Sequence, residues 1–167
     1  MNEAADSLWM GRDKIAVWGL GYLGYSNLLN LTNHGMQCAV TDIDPARIKA
    51  FGQEGFPRRS HLQSWEIAPI VDKSLIEVVE KPEELAGRGD IYMHIICVQN
   101  ETLDGKPTGV HVEEAFDMMC GSFSHSNDKG LPRPLVVIEA SMEPRFFERK
   151  LAPIIQKHGL ELNRDMG

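Results

Sequence analysis

Cysteine is scarce in this chain. Only Cys38, Cys97 and Cys120 are present, far apart and odd in number. That excludes the disulfide framework of a small secreted domain, and the spacing matches no zinc motif. We therefore expect reduced thiols, no metal site and a cytoplasmic location.

Long apolar runs and basic runs are also missing. No apolar stretch approaches the roughly 20 residues of a membrane span, and the polar, acidic first residues do not form a secretory signal. The 17 basic residues are scattered among 24 acidic ones, giving a net charge of −7. Neither nucleic acid nor an anionic membrane is an expected partner. The 167 residues, 43% of them apolar, suit one soluble globular domain.

The most informative feature is a glycine-rich turn between a predicted strand and a predicted helix. The apolar run Lys14–Trp18 leads into Gly19, Gly21 and Gly24, spaced as G-x-G-x-x-G, and a helical pattern starts at about Tyr22. In a dinucleotide site the first glycine allows the sharp turn. The second leaves the backbone open to a pyrophosphate, and the third lets the helix pack closely on the sheet. The positive end of the helix dipole would face the phosphates.

A second predicted strand, Cys38–Thr41, ends at Asp42, which is 23 residues after Gly19 (42 − 19). A carboxylate there can accept hydrogen bonds from both ribose hydroxyls, and it repels a 2′-phosphate about 4 Å away by roughly 1–4 kcal/mol. Since about 1.4 kcal/mol is a factor of ten, we predict NAD rather than NADP. Arg47 could contact the adenosine ribose or be a solvated surface charge. A strand–turn–helix unit without a ligand is the alternative reading of the motif.

Helices and strands alternate along the rest of the chain. Helices are predicted over 45–51 and 82–86, from 110 to 120 and from Pro144, and strands over 75–79, 91–98, 135–140 and 160–162. The alternation predicts an α/β fold, a Rossmann-like three-layer sandwich with a mostly parallel sheet of about six strands. Its ligand would lie beyond the carboxyl ends of the strands. The segments expected there are Gly19–Gly24, Val98–Thr102 and Ala140–Pro144.

In this order the motifs resemble the N-terminal, NAD-binding domain of the UDP-glucose/GDP-mannose 6-dehydrogenases. KIAVWGLGYLG is similar to the family's opening strand and glycine turn, and VTDIDPARI to its ribose-binding segment. ETLDGKP and LVVIEASMEPRFFERKLAPII are similar to the segments that follow. The likeness covers roughly residues 14–163, which we expect to form one NAD-binding domain after a leader, residues 1–13. Those enzymes oxidise the C6 alcohol of a nucleotide sugar to a carboxylate in two NAD-dependent steps.

The resemblance also implies a set of site residues. The residues it assigns to NAD are Gly19, Leu20, Gly21, Tyr22, Leu23, Gly24, Asp42, Arg47, Val98, Gln99 and Ser141. Ser141 stands where the family usually has a threonine near the reacting centre, so its hydroxyl would orient water or cofactor. A role at the start of a helix is the alternative for Ser141.

Two departures from the family pattern fall close to this set. The family's V-P-T-P reads Val98-Gln99-Asn100-Glu101 here, so the prolines that would stiffen this turn are absent. The family's glycine after the later proline is Arg145. At both turns the residues near the expected cofactor site therefore differ from those of the family pattern.

The family's nucleophilic cysteine, lysine and aspartate, and its substrate-binding and dimerisation domains, lie beyond the matched region. None of the three cysteines here matches that nucleophile, and we expect His94 and Cys97 to be core residues. The sequence thus predicts the NAD-binding domain of a nucleotide-sugar 6-dehydrogenase, inactive as this fragment. The full-length protein would bind a nucleotide sugar and could be a homo-oligomer. The alternatives are a free-standing or degenerate NAD-binding module and a smaller 2-hydroxy-acid or β-hydroxyacid dehydrogenase.

Overall fold

The computed structural model of the protein describes residues 6, 8, 10–54, 72–100, 108–126 and 134–167. Within these ranges five strands form one sheet with helices on both faces. The strands are β1 (Lys14–Trp18), β2 (Cys38–Thr41), β3 (Ile76–Val78), β4 (Ile91–Ile96) and β5 (Leu135–Ile138). The helices are α1 (Tyr22–Asn33), α2 (Pro45–Glu54), α3 (Pro82–Ala86), α4 (Val110–Ser126) and α5 (Ala152–Lys157). None of these helices combines the length and apolarity needed to cross a bilayer.

The sheet has the order β3-β2-β1-β4-β5, and all its strand pairs are parallel. The chain leaves β1 towards β2 on one side, and β4 later pairs with the other side of β1. The strand order therefore reverses between β1 and β4, which opens a crevice at the carboxyl ends of these strands. This confirms the predicted Rossmann-like α/β fold.

Two apolar cores hold the layers together because successive side chains of a strand point to opposite faces of the sheet. Val17 and Val40 pack with Leu28 of α1 on one face. Ala16 and Ala39 pack with α4 on the other face. Leu8 is buried in the first of these cores, so part of the predicted leader folds back onto the domain. The central strands β1, β2 and β4 are accordingly largely buried, as their near-continuous apolar sequences indicate, while the edge strands β3 and β5 are only partly covered.

His94 is a core residue, as its place in an apolar strand predicts. It is 1% exposed, and its Nδ1 accepts a hydrogen bond from the Trp18 indole N–H at 3.1 Å. Burial lowers the pKa of His94 to about 3, so the ring is neutral at physiological pH. It packs against Phe123 of α4, with 5.3 Å between the ring centroids.

The sheet has five strands in the described residues, so the expectation of about six is wrong. Residues 160–162 were expected to form the last strand, but Leu162 makes only an isolated bridge to Met166. Asp165 explains the difference, because its carboxylate accepts from the Glu161 amide at 2.7 Å, and Asn163 has a positive φ of 63°. The segment is folded into a tight turn, and its last residue, Gly167, hydrogen-bonds to the edge of β5.

Three helix bounds also differ from the prediction. The helix α2 runs to Glu54 rather than ending at Phe51. The helix α4 runs to Ser126 rather than ending before Gly121, because Phe123 continues its buried stripe. The helix expected to open at Pro144 begins later, with a π-helical turn (Phe147–Leu151) that leads into α5. Arg145 prevents an earlier start, since its φ of 64° lies in the left-handed region. The bounds of β1, β2 and α3 are those predicted.

Asn100 stiffens the turn after β4, where the family's prolines are absent. Its side chain is buried; Oδ1 accepts from the Gly109 amide at 2.6 Å, and Nδ2 donates to the Ser141 carbonyl. Its own carbonyl accepts from the Thr108 amide at 2.9 Å. One residue therefore joins the end of β4, the start of α4 and the turn after β5.

Replacing Arg145 with glycine should stabilise the protein. A left-handed conformation costs a non-glycine residue about 1–2 kcal/mol, part of which glycine loses again through the greater freedom of its unfolded chain. We expect a net gain of about 0.5–1 kcal/mol in the free energy of unfolding, measured by urea denaturation. Asn163→Gly is the matched control, because asparagine tolerates the same region. A larger gain at Asn163 than at Arg145 would contradict this explanation.

Replacing Asn100 with alanine should destabilise the protein by about 2–3 kcal/mol, because the Gly109 amide and the Ser141 carbonyl lose their partner. Gln99→Ala is the control, since Gln99 is the exposed neighbour and surface changes usually stay within about 0.5 kcal/mol. Equal losses of unfolding free energy in the two variants would show that the Asn100 side chain does not hold these segments together.

Candidate dinucleotide site

The turn after β1 is shaped by two close backbone approaches. Gly19 has a φ of 102°, and a Cβ on it would lie 2.8 Å from the carbonyl oxygen of Cys97. A Cβ on Gly24 would overlap the carbonyl oxygen of Gly19. Gly19 lets the turn pass close to the end of β4, and Gly24 lets α1 pack directly against the turn. A larger residue at Gly19 would push the turn away from β4, and one at Gly24 would displace the helix.

Gly21 has a different role from the other two glycines. A Cβ built on it meets no atom within 4 Å, so its position faces open space rather than the protein. It is the N-cap of α1 and supplies no side-chain acceptor, and the first turn of the helix holds no acidic residue. The positive end of α1 is therefore left uncompensated beside an open surface, which is the arrangement that binds phosphate groups.

Asp42, at the end of β2, is tied to this turn. Its side chain is 5% exposed, and Oδ2 accepts a hydrogen bond from the Leu20 amide at 2.6 Å. Oδ1 accepts from the Asp44 amide at 2.8 Å. Arg47 places Nη1 3.6 Å from Oδ2, so the guanidinium and the carboxylate lie together. A carboxylate has about four acceptor positions, so two backbone bonds leave capacity for a ligand.

A cavity of about 590 Å³ lies along the carboxyl ends of the strands. It brings together nine of the eleven residues that the sequence analysis assigns to NAD. Those lining it are Gly19, Gly21, Tyr22, Leu23, Asp42, Arg47, Val98, Gln99 and Ser141. Leu20 and Gly24 do not line it. The Leu20 side chain is buried in the core and its amide is held by Asp42, while Gly24 packs beneath the turn.

The sequence analysis missed one wall of the cavity. Its residues come from the end of β2 and the turn after it, from α3 and from α4, which are distant from one another in sequence. They are Thr41, Ile43, Asp44, Pro82, His111, Glu114, Ala115 and Met118. Only Thr41, Ile43 and Asp44 had a sequence signal, since they flank Asp42. Among the helix residues, Ala115 lies in the buried apolar stripe of α4, which indicates a core position, and the others carry no local signal for a ligand.

Thr41 is the polar group in this wall that lacks a partner. It is 1% exposed, and its Oγ1 is buried without a hydrogen bond to the described residues. An unpaired buried hydroxyl costs about 1–3 kcal/mol. Ile43, beside it on the other side of Asp42, is 77% exposed. A ligand with polar groups and an apolar surface could hydrogen-bond to the Thr41 hydroxyl and cover the Ile43 side chain.

The other end of the cavity lies over β4 and β5. Val98 and Gln99 follow β4, and the exposed Ser141 follows β5. The Ser141 hydroxyl does not cap a helix, because the π-helical turn starts only at Phe147. Its carbonyl is fixed by Asn100. Ser141 is thus held at the cavity by its backbone while its side chain remains exposed.

None of the three cysteines offers an activated thiol. Burial raises the pKa of Cys38, Cys97 and Cys120 to about 12. Cys97 lines the cavity, but the nearby Glu139 carboxylate adds to the effect of burial on its pKa. The thiolate is the reactive form of cysteine, so these side chains do not act as nucleophiles at neutral pH.

No protein-family model matches the chain, and no curated protein matches its sequence. Solved structures do match it. GDP-mannose dehydrogenase from Pseudomonas aeruginosa is 18% identical, with a TM-score of 0.74 over 92% of this chain. UDP-D-ManNAc dehydrogenase from Pyrococcus horikoshii is 25% identical, with a TM-score of 0.67 over 92% of the chain. UDP-glucose dehydrogenase from Pyrobaculum islandicum is 19% identical, with a TM-score of 0.68 over 89% of the chain.

In each of these three comparisons the chain covers 34% of the solved enzyme, so it spans about a third of their length. The resemblance expected from the motifs is confirmed in the fold, because the neighbours are nucleotide-sugar dehydrogenases. The chain has the Rossmann fold that these dehydrogenases share.

Proposed function

We propose that this chain binds NAD as the cofactor-binding domain of a nucleotide-sugar 6-dehydrogenase. The observation that carries the proposal is the combination of an open Gly21 at the uncompensated N-terminus of α1 with the buried Asp42 carboxylate beside it. The first suits a pyrophosphate and the second suits a ribose diol.

The residues present fit the parts of an adenine dinucleotide. The turn from Gly19 to Gly21 and the first turn of α1 would hold the pyrophosphate, and Asp42 with Arg47 would hold the adenosine ribose. The unpaired Thr41 hydroxyl and the exposed Ile43 would meet the adenosine end. The remaining half of the ligand would then extend over the ends of β4 and β5.

Val98, Gln99 and Ser141 would face the nicotinamide half, with the Ser141 hydroxyl orienting water or cofactor. When bound, NAD supplies the acceptor for the hydride removed from the substrate alcohol. The chain's contribution is to bind and orient it. Oxidation to the carboxylate would require a reactive thiol, and the three thiols here are buried with raised pKa values. The full-length protein would supply that thiol, the nucleotide-sugar site and any homo-oligomer contact.

The second candidate is a free-standing or degenerate NAD-binding module. It is favoured by the absence of the stiffening prolines after β4 and by the lack of an activated thiol. The reading frame beyond Gly167 separates the two candidates. A long continuation that encodes a nucleophilic cysteine supports the dehydrogenase, and a stop codon supports the free-standing module. A helical domain with a catalytic lysine would instead favour a third reading, a 2-hydroxy-acid or β-hydroxyacid dehydrogenase. We propose a cytoplasmic location for either candidate, since the cysteines are free thiols.

NAD should bind at least tenfold more tightly than NADP, because Asp42 repels a 2′-phosphate. Asp42→Asn should reduce this preference about tenfold. Asparagine keeps one oxygen for the Leu20 amide, so the link to the glycine turn should survive, while the charge and the acceptor for the Asp44 amide are lost. Isothermal calorimetry with both cofactors measures the two ratios.

Asp72→Asn is the control for the lost charge. Asp72 is exposed, caps the 3₁₀ turn at Lys73–Leu75 and does not line the cavity. It should leave the preference for NAD unchanged. Comparable affinities of the unaltered chain for NAD and NADP would refute the role given to Asp42.

The chain should bind NAD and produce no NADH from UDP-glucose, GDP-mannose or UDP-ManNAc, because the proposal assigns the nucleotide-sugar site, and with it both oxidation steps, to the rest of the full-length protein. The absorbance of NADH in a mixture of chain, NAD and each sugar measures this, with NAD binding checked in the same preparation. Sugar-dependent formation of NADH would overturn the proposal that this part of the protein is only the cofactor domain.

A further inference from the structure

A polar cluster lies between α1 and the end of β5, at the side of the cavity away from Asp42. Glu139 follows β5 directly and lines the cavity. Its Oε2 accepts a hydrogen bond from Asn27 Nδ2 at 2.6 Å, and the Cys97 thiol lies 3.9 Å from the same oxygen. Asn27 Nδ2 also lies 3.4 Å from Cys97 Sγ. The cluster joins three elements that are far apart in sequence, and it fixes the position of the carboxylate.

The charge of Glu139 is not compensated in this cluster. Asn27 is neutral, and the pKa of Cys97 is raised to about 12, so the thiol is neutral too. No lysine, arginine or histidine of the described ranges forms an ion pair with Glu139. Its second oxygen, Oε1, accepts no hydrogen bond from the part of the chain that the structure describes. An acceptor oxygen and a full negative charge are therefore available to a ligand.

The position of Glu139 identifies which part of a dinucleotide it would meet. Asp42, at the end of β2, marks the adenosine side, and the glycine turn after β1 marks the pyrophosphate. The strand order β2-β1-β4-β5 then leaves the ends of β4 and β5 for the nicotinamide half. In the turns directly after β4 and β5, Glu139 is the charged residue among the described residues that line the cavity.

We propose that Glu139 is a specificity-determining residue that makes this site prefer the oxidised cofactor, NAD⁺, over NADH. The inference rests on the proposed NAD-binding function and deepens it. The nicotinamide ring carries a positive charge when oxidised and none when reduced, whereas its carboxamide can donate a hydrogen bond to Oε1 in both forms. The hydrogen bond alone does not discriminate, so the preference comes from the charge.

The expected size of the preference follows from the attraction of two opposite unit charges a few ångström apart near a protein surface. Glu139 is only partly buried, so the dielectric constant of bulk water applies best, and the attraction then corresponds to roughly three- to tenfold in affinity. Asn27 is a positioning residue in this scheme. It donates a hydrogen bond to Oε2 and so holds the carboxylate beside α1, which leaves Oε1 without a hydrogen bond from the described residues.

The test measures the affinities of NAD⁺, NADH and ADP-ribose for the full chain and for Glu139→Gln by calorimetry. Glutamine removes the charge and keeps only one acceptor oxygen, which Asn27 occupies, so the hydrogen bond to the carboxamide is lost for both redox forms. We expect Glu139→Gln to weaken NAD⁺ binding roughly three- to tenfold more than NADH binding and to leave the affinity for ADP-ribose unchanged. The matched control is Glu143→Gln, because Glu143 is half-exposed, lies in the same turn and does not line the cavity. It should change none of the three affinities.

Each other result overturns the inference in an identifiable way. Equal weakening of NAD⁺ and NADH would show that Glu139 supports the hydrogen bond or the fold and does not read the charge. An unchanged NAD⁺ affinity in Glu139→Gln would show that the carboxylate does not meet the nicotinamide. Failure of the unaltered chain to bind ADP-ribose would refute the proposed function itself, since ADP-ribose requires only the adenosine and pyrophosphate contacts.

Discussion

The hydrogen bond from the Leu20 amide to the Asp42 carboxylate joins the two parts of the site that come from different strands. A charge-assisted bond of this kind is worth about 1.5–3 kcal/mol, and its donor lies in a turn that has few side chains of its own to hold it. Gly19 and Gly24 allow the turn to approach β4 and α1, but they cannot fix it. The carboxylate supplies the missing constraint, so the proposed phosphate-binding surface depends on a residue outside the glycine motif.

Asn100 performs a comparable task at the other end of the cavity. Its amide side chain bridges backbone groups of the segments that follow β4 and β5, whereas the family pattern that the motifs resemble has prolines after β4. Proline stiffens a turn by restricting its own φ, whereas asparagine does so by satisfying polar groups that are otherwise buried and unpaired. The two halves of the cavity are thus held by the side chains of two polar residues, each buried and each bonded to backbone.

Much of this architecture follows from local sequence. The strands β1 and β2, the helix α3 and the glycine turn have the predicted bounds because their apolar periodicity and capping residues lie within a few positions. The wall formed by Pro82, His111 and Met118, and the contact of Asn27 with Glu139, 112 residues away, depend on how distant elements pack. Neither the left-handed position at Arg145 nor the turn closed by Asp165 holds a glycine or proline in the sequence. The start of the last helix and the strand expected at 160–162 were therefore predicted wrongly.

Asp42 holds the Leu20 amide and is also the residue proposed to select NAD. This double role limits how the proposed preference for NAD could change during evolution or be re-engineered. The usual route towards a phosphorylated ribose replaces the acid by a small or basic residue, but here that change would also strip the Leu20 amide of its acceptor. Most replacements would therefore loosen the loop at the same time as they admit the new ligand. Only a side chain that retains acceptor oxygens for both the Leu20 and the Asp44 amides escapes this loss, so few substitutions are tolerated.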